Sequence, residues 1–397
     1  MEIGFTARSE VREAIARLGR TEDVQFSPSG KKLAVAGFNE NRLLILGIDV
    51  GWDEPTITLS GSLEVESRDL QRPHGLCWID ERTLVVANRT GRLVIFELPE
   101  QRGCKRVNLS PVRILGEETS DLLKTPGSVS AVPIGLDLVE LILCNNYVHH
   151  VSRHMVDRRN GYALIASEIL SHDGMDVPDG VAHSPSGQWI AISNHGHNNV
   201  LLFRNDPEPG AVSRPRAVLN GIKFPHVLRF AENGKSVLVA DAGSPFVYLY
   251  RSDGEWSGTH HPEASIRVVS DETFVRGRSN PAEGGPKGID LSRDGKLLVA
   301  SCEQQPFAFF DMRELLDQRV PAPPSNITEA ENAREALLRY MASDRSKVDE
   351  ETAAIRRAIE FEMGVMTRSR SWGITAPLRW ATATLRRTAP GWSAKHL

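Results

Sequence analysis

One hydrophobic pattern recurs along the chain. It is visible in EDVQFSPSGKKLAVAG from residue 22, HGLCWIDERTLVVAN from 74, DGVAHSPSGQWIAISN from 179, HVLRFAENGKSVLVAD from 226 and KGIDLSRDGKLLVAS from 287. Each copy is a short apolar alternation, a polar turn that usually holds Gly, and a second alternation rich in Val, Leu, Ile and Ala. A polar loop then leads to a third apolar run such as RLLILGI, GRLVIFEL, NVLLFRN, FVYLYRS or PFAFFDM. Alternation of period two with turn residues between predicts strand, turn, strand, loop, strand.

A weaker sixth copy runs through SVSAVPIGLDLVELILCNNYVHHVSRHMV, in the gap of about two periods between the copies at 74 and 179. Repeats of about 50 residues without helical text between them match the blades of a β-propeller. The predicted fold is therefore all-β, a six-bladed propeller with a C-terminal α-helical extension. A seventh blade between 255 and 280 is the alternative count, and a β-sandwich the alternative architecture.

The segments read as a helical N-terminal piece over 1–20, with Val11, Ala14, Ile15 and Leu18 at helical spacing, and a propeller over 21–317. A Pro-rich linker over 318–327 and a helical, basic tail over 328–397 follow.

Composition narrows the class. With 40% hydrophobic and 25% charged residues the chain is of ordinary globular make-up, and a net charge of -4 gives no global footprint for nucleic acid. The four cysteines (Cys77, Cys104, Cys144, Cys302) form no CxxC pair, so neither a zinc knuckle nor a disulfide framework is expected. The first twenty residues carry charges throughout, and no run reaches the roughly 18 apolar residues of a membrane span. A cytoplasmic location is expected, with the tail peripheral at the inner face of the membrane.

The repeat also aligns polar residues. The strand start of each copy is followed 14 or 15 positions later by the end of its second strand: Glu22 with Gly37, His74 with Asn88, Asp179 with Asn194, His226 with Asp241, and Lys287 with Ser301. Antiparallel neighbours bring these ends together, and in a propeller the two strands lie innermost. The weak copy adds Asn145 with Ser128 or Ser130. One channel mouth is thus expected to gather Glu22, Asp23, His74, Asn88, Asn145, Asp179, Asn194, His195, His226, Asp241 and Lys287. Converging carboxylates and imidazoles suit a divalent cation or a small polar ligand. Asn and Asp also close strands by bonding to nearby backbone, which is the structural alternative. His149, His150, His154, His197, His260 and His261 fall on a third strand or on loops.

The Pro-x-Gly strand starts at Pro73, Pro178 and Pro286, with turns such as SPSG and SRDG, resemble the six-bladed superfamily of NHL repeats and the SMP-30/gluconolactonase group. The resemblance implies a cation held by Glu22, Asp179 and His226, with Asp241 as the base that activates a metal-bound water. Asp179 stands where that group carries Asn, and His226 where it carries Asp. Lys287 adds a positive charge to the same mouth. The Gly-His and Trp-Asp marks of WD40 blades do not recur.

From Arg356 onward eight basic residues face two glutamates. Arg370, Trp372, Leu378, Arg379 and Trp380 mix basic, aromatic and apolar side chains as a membrane-surface helix or a partner-binding helix does. SRSWGITAPLRW resembles a tail found at the ends of bacterial surface-polysaccharide glycosyltransferases. GxSxG, HExxH and GxxxxGK[ST] are absent. The expected function is a non-catalytic binding or scaffold propeller for a small polar ligand or glycan, tied to surface-polysaccharide assembly. A metal-dependent lactonase is the alternative.

Overall fold

A computed structural model describes residues 1–313 apart from 53, 101–102, 206–213, 254 and 279–281. Six sheets make up the described chain. Their innermost strands are Thr21–Phe26, Pro73–Trp78, Pro126–Ile134, Pro178–His183, Pro225–Ala231 and Pro286–Leu291, heading blades 1 to 6. Each continues outward through two further antiparallel strands and an outer one.

The second strands are apolar on both faces because each face meets a different neighbour. Thr83–Asn88 and Trp189–Asn194 are buried at every position. In Leu138–Asn145, Leu141 and Leu143 pack toward blade 2 against Val85 and Ile95, whereas Ile142 and Cys144 pack toward blade 4 against Ile190 and Ile192. Strict alternation therefore sorts one strand into two cores, and the blades stack around the ring by burying both sides of each sheet.

The SPSG and SRDG turns are one structure repeated. Gly30, Gly187 and Gly295 have φ between +69° and +73°, and their amides bond to the carbonyls of Ser27, Ser184 and Ser292. Glycine takes this left-handed conformation at no steric cost, which explains its place in the pattern.

Two features depart from the expected outline. The helix near the N-terminus is Ser9–Ala16, but Glu2–Ile3 before it pairs with Phe310 and Phe309 and supplies the outer strand of blade 6. The ring is thus closed by strands from opposite ends of the propeller. The seventh blade is not formed: Gly258–His260 adds a fifth strand to blade 4, Ala264–Arg267 is the outer strand of blade 5, and Asp271–Arg276 is a short helix. The Pro-rich linker and the tail, with Arg370, Trp372, Leu378, Arg379 and Trp380, lie outside the described residues. No helix among the described residues is long and apolar enough to cross a membrane.

Candidate functional site

The site is built by a backbone irregularity that every blade shares. Thr21, Pro73, Pro126, Pro178, Pro225 and Pro286 pair with the last residues of the second strands, Gly37, Asn88, Asn145, Asn194, Asp241 and Cys302. The register then slips within three residues in all six blades. A bulge re-aims a side chain, and the residue after each paired start occupies it: Glu22, His74, Gly127, Asp179, His226 and Lys287.

The sequence pattern locates five of these six positions. The third belongs to Gly127, not to Ser128 or Ser130, and the last paired strand end is Cys302, not Ser301. Glycine at Gly127 makes room for Asn146, whose carboxamide a Cβ there would overlap. The Asn146 amide donates to Asp179. A residue just beyond the second strand of blade 3 thus reaches the place its own strand start leaves empty.

The glycine of Pro-x-Gly has a related cause. A Cβ on Gly75 would lie 2.6 Å from the Ser128 Cα, one on Gly288 would lie 2.7 Å from the Asp23 Cα, and one on Gly180 would strike the His226 carbonyl. These glycines are the points where one blade's inner strand touches the next, so the motif sets how closely the inward positions converge.

The inward residues are sealed, not open at a mouth: Glu22, Asp179, His226 and Lys287 are each under 5% exposed. They form a continuous ionic network. His226 Nδ1 is 2.7 Å from Asp179 and its Nε2 is 3.6 Å from Glu283. Lys287 Nζ lies 3.1 Å from Glu283 and 3.6 Å from Glu22 Oε2, and Arg20 bonds to Glu22 Oε1. His195 Nε2 is 3.2 Å from Glu283, and Arg89 Nη1 is 3.5 Å from Asp179.

Burial alone would favour neutral forms, yet the partners outweigh it. Burial raises the Glu22 carboxyl, but Arg20 and Lys287 bring it down to about 2. Burial lowers His226, but the Asp179 charge and hydrogen bond lift it to about 9. Asp179 and Glu283 are likewise held well below the usual carboxylate range against burial, chiefly by His226 and by Lys287. His74 goes the other way: burial and the Arg89 charge push it down to about 4. Its Nδ1 lies 2.7 Å from the Gly127 carbonyl, which can only accept, so the neutral ring carries its lone pair on Nε2, 3.7 Å from Glu22.

The expected strand-end residues do a different job. Asn88 accepts from the Gln71 amide and donates to the Asp69 carbonyl, and Asn194 accepts from Asp176 and donates to Gly174. Asn145 accepts from Lys124 and donates to the Ser152 hydroxyl. Each pins the loop that leads into its blade. Asp241 accepts from the Gly243 amide and the Ser244 hydroxyl. Burial raises its carboxyl to about 7 despite those bonds. It anchors its own turn through both carboxylate oxygens. Asp23 likewise turns to the backbone, accepting from Val24 and Leu76.

Sequence reasoning missed Arg20, Arg89, Asn146 and Glu283. Arg89, Asn146 and His195 share one signal, the position just after the second strand of consecutive blades, and only His195 stood out as a histidine. Aromatic rings line the outer side: Phe38 lies under Arg20 and Arg72, Tyr147 under Arg89, and Phe224 against His195.

Donor atoms of Glu22, His74 and His226, and of Asp179, His195 and His226, lie within 4.8 Å of one another. These two groups are the residues that could hold a cation; in the structure His226 lies between Asp179 and Glu283, and Glu22 is paired with Arg20 and Lys287.

Residues 172–276 match the family described as Lactonase, 7-bladed beta-propeller. That segment contains Asp179, His195 and His226, whereas the described residues of this chain form six sheets. No curated protein matches the chain. A functionally unknown protein from Desulfotomaculum acetoxidans DSM 771 is similar in structure at 13% identity, over 74% of this chain and 82% of that one, with a TM-score of 0.48. A luciferin-regenerating enzyme is similar at 10% identity, over 73% and 86%, with a TM-score of 0.48.

Proposed function

We propose that the ring of inward residues is a non-catalytic site at which the propeller binds a small polyhydroxylated acid, of the aldonate or uronate class. The observation that carries this reading is a set of buried polar atoms left without hydrogen-bond partners at the ring: Glu22 Oε2, Asn146 Oδ1 and His195 Nδ1. Buried polar atoms are ordinarily satisfied. Here the carboxylate and carboxamide oxygens call for hydroxyl donors, while Arg20 and Arg89, both partly exposed above them, suit a carboxylate.

Thermal melts with D-gluconate, D-galacturonate and neutral D-glucose test this. The two acids raise the midpoint in proportion to the logarithm of their concentration, glucose does so less, and Arg89→Ala abolishes the difference. Equal midpoints in all three sugars would overturn the reading.

The family match over 172–276 favours a second reading, a metal-dependent lactonase. Stoichiometric metal in the purified protein, lost in Asp179→Ala, would establish that one; sub-stoichiometric metal and a melting midpoint indifferent to chelator would exclude it. Attachment to a surface-polysaccharide assembly is supported by the resemblance of the tail alone. Equal pelleting with liposomes by chains with and without residues 368–397 would remove its membrane arm.

A further inference from the structure

A second constellation lies deeper along the channel. Ser130, Arg229 and Asp290 stand three residues beyond the inward positions of their strands, about 10 Å further along at the usual rise of a strand. The Ser130 hydroxyl is 2.8 Å from His183 Nδ1, and His183 Nε2 is 2.8 Å from a Glu140 carboxylate oxygen. Blade 3 supplies Ser130 and Glu140 from adjacent strands, and blade 4 supplies His183 from the end of its inner strand.

We propose that Ser130, His183 and Glu140 form a nucleophile, base and orienting carboxylate that hydrolyse short-chain carboxylic esters, independently of the ring. The hydrogen bonds fix the proton positions. An ionised carboxylate accepts only, so His183 donates from Nε2, which leaves the Nδ1 lone pair to accept the Ser130 proton. Burial raises the Glu140 carboxyl, but the His183 hydrogen bond and the Arg153 charge bring it below its ordinary value. Arg153 holds Glu140 at 3.2 Å and is itself anchored by Glu168 and Asn205. The chain is therefore a nucleophile in reach of a base, with the base oriented by a third group.

It opens on a place for a substrate. A cavity of about 360 Å³ is lined by Gln25, Cys77, Trp78, Ser130, His183 and Arg229, within the usual range for small-ligand sites. Arg229 Nη2 is buried without a hydrogen-bond partner, 3.5 Å from Asp23, and is a donor available to a carbonyl oxygen that gains charge.

The reaction balances within this set. Ser130 Oγ bonds to the ester carbonyl carbon as its proton passes to His183 Nδ1. The carbon to alkoxy-oxygen bond then breaks, and His183 returns the proton to the leaving alcohol. Water repeats the sequence on the acyl-serine, releasing the acid and restoring Ser130. Glu140 remains ionised throughout and acts as a positioning residue.

The test uses the full chain with p-nitrophenyl acetate and a fluorophosphonate label. The label is found by mass spectrometry on Ser130 of the unaltered protein, and Ser130→Ala and His183→Gln each lower hydrolysis by about a hundredfold or more. Glu140→Gln lowers kcat with KM unchanged. Gluconate binding at the ring survives in Ser130→Ala, which separates this proposal from the preceding one. A label absent from Ser130, or hydrolysis equal in the unaltered protein and in a folded Ser130→Ala variant, would overturn it.

Discussion

His226 Nδ1 lies 2.7 Å from an Asp179 carboxylate oxygen, and the two residues start the inner strands of adjacent blades. The contact therefore spans a blade junction, at the point where Gly180 presses on the His226 carbonyl. Its pH dependence follows from the raised histidine, at about 9 in the fold against 6.5 in its absence. A raised group contributes stability that is full below the unfolded value and lost as pH rises through the folded one. We expect the unfolding free energy from urea titrations to fall between pH 6.5 and 9, by on the order of 3 kcal/mol, and this slope to be absent in His226→Gln. An unfolding free energy flat across that window in the unaltered protein would refute the assignment. Asp179 is held low by the same contact, so its share is lost only as pH falls below the ordinary carboxylate range.

Removing Lys287 takes one buried cation from between Glu22 and Glu283. Breaking a buried pair by deleting one partner costs about 3–5 kcal/mol, so Lys287→Met is expected to lower unfolding stability by that order. The fall should be smaller in Lys287→Met combined with Glu283→Gln, and the comparison of the two in urea checks it.

Five of the six positions were readable because the bulge repeats and leaves Pro-x-Gly in three of the blades. Glu22, His74, Asp179, His226 and Lys287 could be aligned by eye. Gly127 could not, since its significance is the space it leaves for a side chain nineteen positions later in sequence, a relation no periodicity records. Glu283 was hidden for a similar reason: it precedes its strand and reaches the ring only because Gly284 and Gly285 pack tightly against Phe274 and Ser244. The strand-end Asn residues were conspicuous because they repeat, yet the repeated need they serve is to hold the preceding loop. The chain of Ser130, His183 and Glu140 joins two blades across fifty-three positions and has no local motif.

A double-mutant cycle at Gly127 and Asn146 tests the substitution of one blade's position by another residue. Gly127→Ala forces the Asn146 carboxamide from Asp179, at an overpacking cost of about 1–3 kcal/mol. In Asn146→Ala the same glycine change should cost markedly less, because contacting residues are not additive. Equal costs in both backgrounds would show that the two do not share one space.

Closure of the ring is testable by truncation. Deleting residues 1–7 removes the strand paired with Phe309 and Phe310, along with the Phe5 ring that packs on Phe307 and Phe309. A melting midpoint lowered by several degrees is expected, with recovery on adding a peptide of residues 1–8. An unchanged midpoint would mean that the outer strand contributes nothing.

That pairing has a consequence for how the molecule comes into being. Glu2 finds its partner only after Phe310 has left the ribosome, so during synthesis the first residues wait for the last strand. Contacts so distant in sequence form slowly, and until they form the disc is an open arc. Glu22 of blade 1 and Lys287 of blade 6 meet across that same gap, which leaves these two charges in water until the arc shuts. Closing the circle between blades 1 and 6 and burying these two charges are therefore one event.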